Sequence, residues 1–166
     1  EIGSGQTISQ PTVVGLMTQA LGLVGGERLL EVGTGSGYQA AVLAEIAGKV
    51  HSIEIIEELG IDARRRLQRL GYDNVEVHIG DGYRGWPAAA PFDGIVVTAA
   101  PDHLPPALFE QLAPGCRMIL PLGSPGGVQQ LVLVEKDQDG EQKRQTLLPV
   151  RFVPMTGEAE AKEDER

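Results

Sequence analysis

Residues 29–37, Leu-Leu-Glu-Val-Gly-Thr-Gly-Ser-Gly, set an apolar run directly before three glycines at alternate positions. Such a run reads as a buried strand that ends in a sharp turn, since glycine adopts left-handed backbone without the Cβ penalty other residues meet. A second apolar run, Val50-His51-Ser52-Ile53, closes on the acidic Glu54 about 20 positions further on. Together they predict a glycine turn and a carboxylate at neighbouring strand ends of an open α/β sheet. There the backbone can approach a nucleotide-type cofactor while the acid accepts hydrogen bonds from its ribose. The pattern points to an enzyme.

The glycine spacing narrows the cofactor. A dinucleotide fingerprint needs Gly-x-Gly-x-x-Gly, but here Gly33 and Gly35 are followed by Gly37, one residue early, and then by Tyr38. A bulky side chain at that helix start obstructs the close pyrophosphate approach. S-adenosylmethionine carries no phosphate and needs only the turn, room for its methionine tail and a ribose acceptor. The plain alternative, a glycine-rich strand-to-helix turn without a ligand, loses ground because Glu54 follows at the right distance.

Apolar runs alternate with helical patterns along most of the chain, which predicts repeated β–α units and a mainly parallel sheet with helices on both faces. Strands are expected at 28–32, 49–53, 75–79, 92–98 and 117–121, and helices at 11–21, 38–47, 57–70 and 105–112. In the first helix Val13, Leu16, Met17, Ala20, Leu21 and Val24 follow the spacing of one buried face. In the third, Leu59, Ala63, Leu67 and Leu70 mark the buried stripe, leaving Arg64, Arg65, Arg66 and Arg69 as a solvated face. Extended segments 128–135 and 144–153, joined by Lys-Asp-Gln-Asp-Gly, predict a closing antiparallel hairpin. The expected organisation is one domain over 1–157, followed by an acidic flexible tail over 158–166 that has no apolar anchor.

Composition removes several function classes. Net charge is −9, and residues 158–166 contribute five acids against two bases, so −6 remains elsewhere and disfavours a polyanionic partner. Aromatic residues make up 4%, too few for base-stacking platforms. A lone Cys116 makes no internal disulfide, and no Cys/His cluster has zinc spacing. No apolar run approaches the roughly 20 residues needed to span a bilayer, and no basic-then-apolar leader opens the chain. The expectation is a cytoplasmic protein without nucleic-acid, membrane or metal partners.

Ligands of open α/β sheets sit outside the carboxyl ends of the strands, which singles out Gly33–Gly37, Glu54, Asp81-Gly82 and Thr98-Ala99-Ala100-Pro101. Glu54 is read as the ribose acceptor; a helix-start carboxylate is its alternative. Asp81 is either a turn carboxylate or an acceptor for an exocyclic adenine amine. Enzymes that methylate amide or base nitrogens resemble one another in an Asn/Asp-Pro-Pro-aromatic turn after the fourth strand. Thr98-Ala99-Ala100-Pro101 lacks that acceptor. Before the first helix, Ser9 suits an N-cap, with Pro11 in the first turn, and a hydroxyl there can also meet a carboxylate.

The residues now quoted resemble those of the protein-L-isoaspartate (D-aspartate) O-methyltransferases. Gly5-Gln6-Thr7-Ile8-Ser9-Gln10-Pro11 looks like the family's substrate and cofactor loop, and Leu30 to Ala44 like its cofactor motif. Gly80-Asp81-Gly82 looks like its adenine-side turn, and Phe92-Asp93 to Ala100-Pro101 like its fourth strand. Leu112-Ala113-Pro114-Gly115 and Val153-Pro154-Met155-Thr156-Gly157 extend the match over about residues 3–157. The resemblance implies methyl transfer from S-adenosyl-L-methionine to the α-carboxylate of an L-isoaspartyl, and possibly a D-aspartyl, residue in a damaged protein. The product ester then closes to a succinimide that partly hydrolyses to normal aspartate, and S-adenosyl-L-homocysteine is released. It implies Ser9 as the residue orienting the carboxylate, with Thr98 and Ala99 alongside the substrate backbone. Cofactor contacts fall to Gln6, Thr7, Ile8, Gly33, Thr34, Gly35, Gly37, Glu54, Asp81, Gly82 and Thr156. The chain departs from the family in placing Cys116, in an expected turn, where a second glycine is usual. It also begins almost at the opening loop, where the family carries some tens of residues that help cover the site. The alternative that follows is a domain that binds S-adenosylmethionine with lost or altered transfer. A monomer is expected.

Overall fold

The computed structural model describes residues 2–161. In chain order its elements are α1 (Pro11–Ala20), β1 (Arg28–Val32), α2 (Tyr38–Ala44), β2 (Lys49–Glu54), α3 (Glu57–Arg69), β3 (Val75–Ile79), β4 (Phe92–Val97), α4 (Pro106–Gln111), β5 (Leu112–Leu122), β6 (Gln129–Lys136), β7 (Gln142–Val150) and α5 (Glu158–Ala161). Two 3₁₀ turns, Gly82–Arg84 and Pro87–Ala89, lie between β3 and β4. The strands form one seven-stranded sheet in the order β3-β2-β1-β4-β5-β6-β7. The first five pair in parallel, and β6 and β7 close the sheet antiparallel.

Strand alternation sorts the core into two layers. Leu29, Val50, Val96, Ile119 and Leu131 pack with Met17, Leu21 and Leu43 of α1 and α2 and the chain just after them. Leu30, Val32, Ile53, Ile95, Val97, Met118 and Leu120 face the other way, toward Leu108 of α4, Met155 and Ala159. Both sides of the central strands are buried, so β1 and β4 read as continuous apolar runs rather than alternating ones.

The hairpin turn has a local cause. The Asp137 carboxylate accepts from the Asp139 and Glu141 N–H groups, at 2.9 Å each, and Gly140 sits at φ 84°. β7 ends at Val150, so 151–153 are not part of the hairpin. The chain instead crosses back to the sheet centre, where Ala100 N–H donates to Val153 O at 2.8 Å and Met155 N–H to Ala100 O at 2.9 Å.

Several expectations fail for reasons of context. Val24 is 94% exposed, because α1 stops at Ala20 and Gly22 turns the chain away before Val24 can join the stripe. Leu70 is 62% exposed, as the first residue past α3. Arg64 and Arg66 are more than a solvated face: they donate to Val77 O at 2.7 Å and Ser36 O at 2.6 Å. Cys116 lies within β5, not in a turn, beside an irregularity in the pairing of β5 with β4. The tail expected from 158 is ordered in its first four residues: α5 packs Ala159 into the core and pairs Glu158 with Arg84. Residues 162–166 lie outside the described residues.

Candidate functional site

Strand order reverses between β1 and β4, since β1 leads to β2 on one side and β4 stands on the other. The crevice at the carboxyl ends of these strands is where an open α/β sheet binds ligands. β1 ends in Gly33, Gly35 and Gly37, at φ 95°, 54° and 87°. Gly33 admits no larger residue, because a Cβ there would stand 2.5 Å from Thr98 Oγ1. That hydroxyl donates to Gly33 O at 2.6 Å and approaches Val32 O at 3.1 Å, fastening the glycine turn to the end of β4.

Glu54, at the end of β2, is buried and shapes the turn from the other side. Its carboxylate accepts from Gly35 N–H at 2.8 Å and Ile56 N–H at 3.0 Å. The resulting cleft, open to solvent, is walled by Gln6, Thr7, Ile8, Ser9, Gly33, Thr34, Gly35, Glu54, Gly82, Thr98, Ala99 and Thr156 among others. Among the described residues, Glu54 is the one charged residue that lines it.

Two expected contact residues stand outside this wall. Gly37 is the α2 N-cap, and a Cβ on it would press on Leu67 at 3.3 Å, so it serves helix packing. The Asp81 carboxylate accepts from Tyr83 N–H at 2.9 Å and Glu158 N–H at 2.8 Å, tying a 3₁₀ turn to α5 instead of facing the cleft. Thr34 lines the cleft, but its hydroxyl points inward to Ser52 Oγ at 2.6 Å. Thr98 N–H donates to Val32 O at 2.9 Å, so its N–H cannot serve a peptide. The N-cap of α1 is Gln10, with no side-chain cap bond, and Ser9 has no capping role. That frees its hydroxyl for the cleft it borders.

A second cleft opens on the far side of the opening segment, between Gln10, Val13 and the stretch Leu148–Val153. Thr7, Ile8, Ser9, Thr98 and Val153 line both clefts and form a common wall. Among the described residues, Arg151 is the one charged residue lining the second. The opening segment is shaped by a small turn: Ile2 N–H donates to Gln6 O and Gln6 N–H to Gly3 O, both at 2.9 Å, with Ser4 left-handed at φ 51°. Ile2 reaches over the glycine turn, where a Cβ on Gly35 would meet Ile2 Cδ1 at 3.2 Å.

Beneath the first cleft runs a buried polar chain. Thr34 donates to Ser52 Oγ, and Ser52 donates to Glu31 Oε1 at 2.5 Å. Burial, the main cause, pushes the Glu31 carboxyl up to about 8, and the Glu54 charge adds to it. Gln39, also buried, lines the cleft and donates from Nε2 to Thr18 Oγ1 at 2.9 Å, while its Oε1 has no partner among the described residues. An acceptor left so costs about 1–3 kcal/mol. Sequence reasoning missed Gln39, Ile2 and Arg151; the apolar Ile55-Ile56 after Glu54, Ile55 being exposed, was the available sign of a ligand wall there.

Comparisons with known proteins agree with this architecture. The family model described as protein-L-isoaspartate(D-aspartate) O-methyltransferase matches residues 1–160. Protein-L-isoaspartate O-methyltransferase 1 of Nitrosospira multiformis is 62% identical over 94% of the chain, and protein-L-isoaspartate O-methyltransferase 2 of Syntrophobacter fumaroxidans is also 62% identical over 94%. The chain spans 66% and 63% of the lengths of these two relatives. A solved protein-L-isoaspartate O-methyltransferase superposes with a TM-score of 0.85 at 34% identity, over 93% of this chain and 51% of that one. A Plasmodium falciparum structure in complex with S-adenosyl-L-homocysteine shares the fold, with a TM-score of 0.79 at 24% identity over 94% of this chain and 78% of that one.

Proposed function

Because the chain belongs to the protein-L-isoaspartate(D-aspartate) O-methyltransferase family, we propose that it transfers a methyl group from S-adenosyl-L-methionine to the α-carboxylate of L-isoaspartyl residues in damaged proteins, with D-aspartyl residues as a second substrate class. One observation carries the reading: two clefts of opposite character share the wall Thr7, Ile8, Ser9, Thr98 and Val153. A group held in the first needs to pass only this wall to reach a group held in the second. Glu54 in the first suits a ribose and a cationic ligand, and Arg151 in the second suits a carboxylate.

The residues of the first cleft fit the cofactor. The Gly33 turn allows close backbone approach, and Glu54 keeps acceptor capacity beyond its two backbone bonds. Gln6, Thr7, Ile8, Gly33, Thr34, Gly35, Gly82 and Thr156 complete the cradle, with Gly37 and Asp81 shaping it from behind. When bound, S-adenosyl-L-methionine supplies a methyl group activated by a sulfonium and departs as S-adenosyl-L-homocysteine.

Few chemical demands fall on the protein. A peptide carboxylate, with an ordinary pKa near 3.9, is ionised at neutral pH, so no general base is required. Ser9, on the common wall, orients one carboxylate oxygen through its hydroxyl, and Arg151 draws the charge into the second cleft. Ala99 and the Thr98 carbonyl lie beside the substrate backbone. Catalysis then rests on alignment of the reacting atoms to about 3–3.5 Å and on partial desolvation of the nucleophile. The reading extends to a cytoplasmic monomer that needs no metal for transfer and engages neither nucleic acid nor membrane. The net charge of −9 disfavours a polyanionic partner, and among the described residues no helix is long and apolar enough to cross a membrane.

The test is methyl transfer from labelled S-adenosyl-L-methionine to two peptides that differ only in an isoaspartyl or a normal aspartyl linkage. Base-labile label on the isoaspartyl peptide alone is expected. Cofactor binding with no ester on either peptide would reduce the chain to a cofactor-binding domain.

A further inference from the structure

Away from both clefts, β2 and the edge strand β3 bring two histidines and a glutamate together on the α4 side of the sheet. His51 and Glu76 are cross-strand partners, and His78 follows two residues along, opposite Ile53. His51 Nδ1 lies 3.1 Å from His78 Nε2, and the rings are within 9° of parallel with centroids 5.4 Å apart. Glu76 Oε1 stands 3.9 Å from His78 Nε2, and one ligand atom from each of the three residues falls within 4.8 Å of the others. Trp86 stacks on His78 at 3.8 Å between centroids, and Phe92 meets His51 edge-on at 6.1 Å. Both imidazoles are therefore held in place by aromatic neighbours.

Two imidazole nitrogens facing each other can share one N–H, or both can turn lone pairs on a third atom. Burial lowers both histidine pKa values, which keeps the rings neutral and their lone pairs available near neutral pH. In tetrahedral zinc(II) with Zn–N of about 2.0–2.1 Å, two ligand nitrogens stand about 3.3–3.4 Å apart. The observed pair needs to open by only a few tenths of an ångström, but its centroid spacing sets the two nitrogens head-on, so each ring must also swing by roughly 35° to aim its lone pair at a common ion. Glu76 is half exposed and free to close the remaining distance, and its other oxygen, Oε2, stays 3.3 Å from Lys49 Nζ. Release of the shared N–H requires only a change of tautomer, with no net loss of a proton.

We propose that His51, His78 and Glu76 form a binding site for a divalent transition-metal ion, zinc(II) foremost, with water as the fourth ligand. Two imidazoles and one carboxylate suit zinc better than the oxygen-seeking magnesium or calcium. Lys49 and Arg28 lie close enough to act electrostatically on His51, which makes the site weaker than an all-thiolate one. Its role is a clip: the ion joins β2 to β3 at the open edge of the sheet. This inference is independent of the methyl-transfer reading.

The experiment treats the chain with chelator, removes the chelator, and titrates it with zinc(II) by calorimetry and with cobalt(II) by visible absorption. One equivalent bound, a tetrahedral cobalt spectrum and a rise in the unfolding midpoint with zinc are expected. His51→Gln and His78→Gln should each abolish binding, while S-adenosyl-L-homocysteine affinity stays unchanged. Glu76→Gln, at a half-exposed position, should fold normally and bind zinc at least several-fold more weakly. The proposal fails if zinc does not bind, if binding persists in the double histidine variant, or if Glu76→Gln binds as tightly as the parent.

Discussion

Glu31 sits one residue before the end of β1 with its carboxyl fully buried, paired across the ladder with Ser52. Below pH 4.5 the group is protonated folded and unfolded alike. Between 4.5 and about 8 the unfolded chain ionises while the folded one holds its proton, so stability falls with rising pH by about 1.4 kcal/mol per unit. Glu31→Gln removes this slope. Urea unfolding at pH 5 and pH 8 should show the parent losing several kcal/mol relative to the variant, and parallel losses would contradict the assignment. At the common wall, Ser9→Ala should lower the transfer rate with little change in cofactor affinity, since Ser9 acts on the carboxylate; unchanged turnover removes that role. Arg151→Gln should raise KM for isoaspartyl peptide about ten-fold or more, a charge-assisted contact contributing about 1.5–3 kcal/mol. Cofactor affinity should stay constant, and equal KM values would show that the arginine faces only solvent. The glycines and Glu54 were legible in sequence because each belongs to a local turn. Arg151 was not, because it lies more than a hundred residues from Ser9 and nothing nearby in the chain marks its partner.

Among the elements, the opening segment is the least secured part of the common wall. Its turn is closed by two backbone hydrogen bonds, Ile2 to Gln6 and Gln6 to Gly3, and most of its residues are exposed. β1 and β4, by contrast, are paired on both sides and buried on both faces. Amide exchange should therefore be fastest across 2–10 and slowest in β1 and β4. S-adenosyl-L-homocysteine should slow the opening segment selectively, while uniform slowing across the chain would show that the segment does not close on the ligand. Strand and helix limits were readable to within a few residues where apolar periodicity is strong, as in β1, β3 and α3. At Val24 and Leu70 the reading ran past a local helix end, whereas at the first turn after Gly157 the outcome hangs on distant contacts. Ala159 is buried in the cluster that includes residues of β4, α4 and the first 3₁₀ turn, and Arg84 and Asp81 both reach Glu158.

At the scale of the whole molecule, ligand binding and stability are one equilibrium, because the first cleft draws residues from the ends of β1 and β2, the turn after β4, α1, α2, α3, Gly82, the opening segment and the return segment 153–156. No unfolded fragment holds these together. S-adenosyl-L-homocysteine at a hundred times its Kd should stabilise the fold by about 2.7 kcal/mol and raise the unfolding midpoint by about 5–10 °C. An unmoved midpoint would mean that the cleft does not bind the product. The β–α alternation, the glycine turn, the Glu54 carboxylate and the hairpin could all be read along the chain, since each follows from side-chain periodicity or backbone freedom within a few residues. The parallel sheet and its kind of ligand were readable for the same reason. Folding alone brought Arg151 and Val153 to the cleft that Ser9 lines, tied the Asp81 carboxylate and the Thr34 hydroxyl to internal partners, and set His51 against His78. Those arrangements depend on which strands become neighbours and which carbonyls remain to be paired, and only the closed set of long-range contacts settles that.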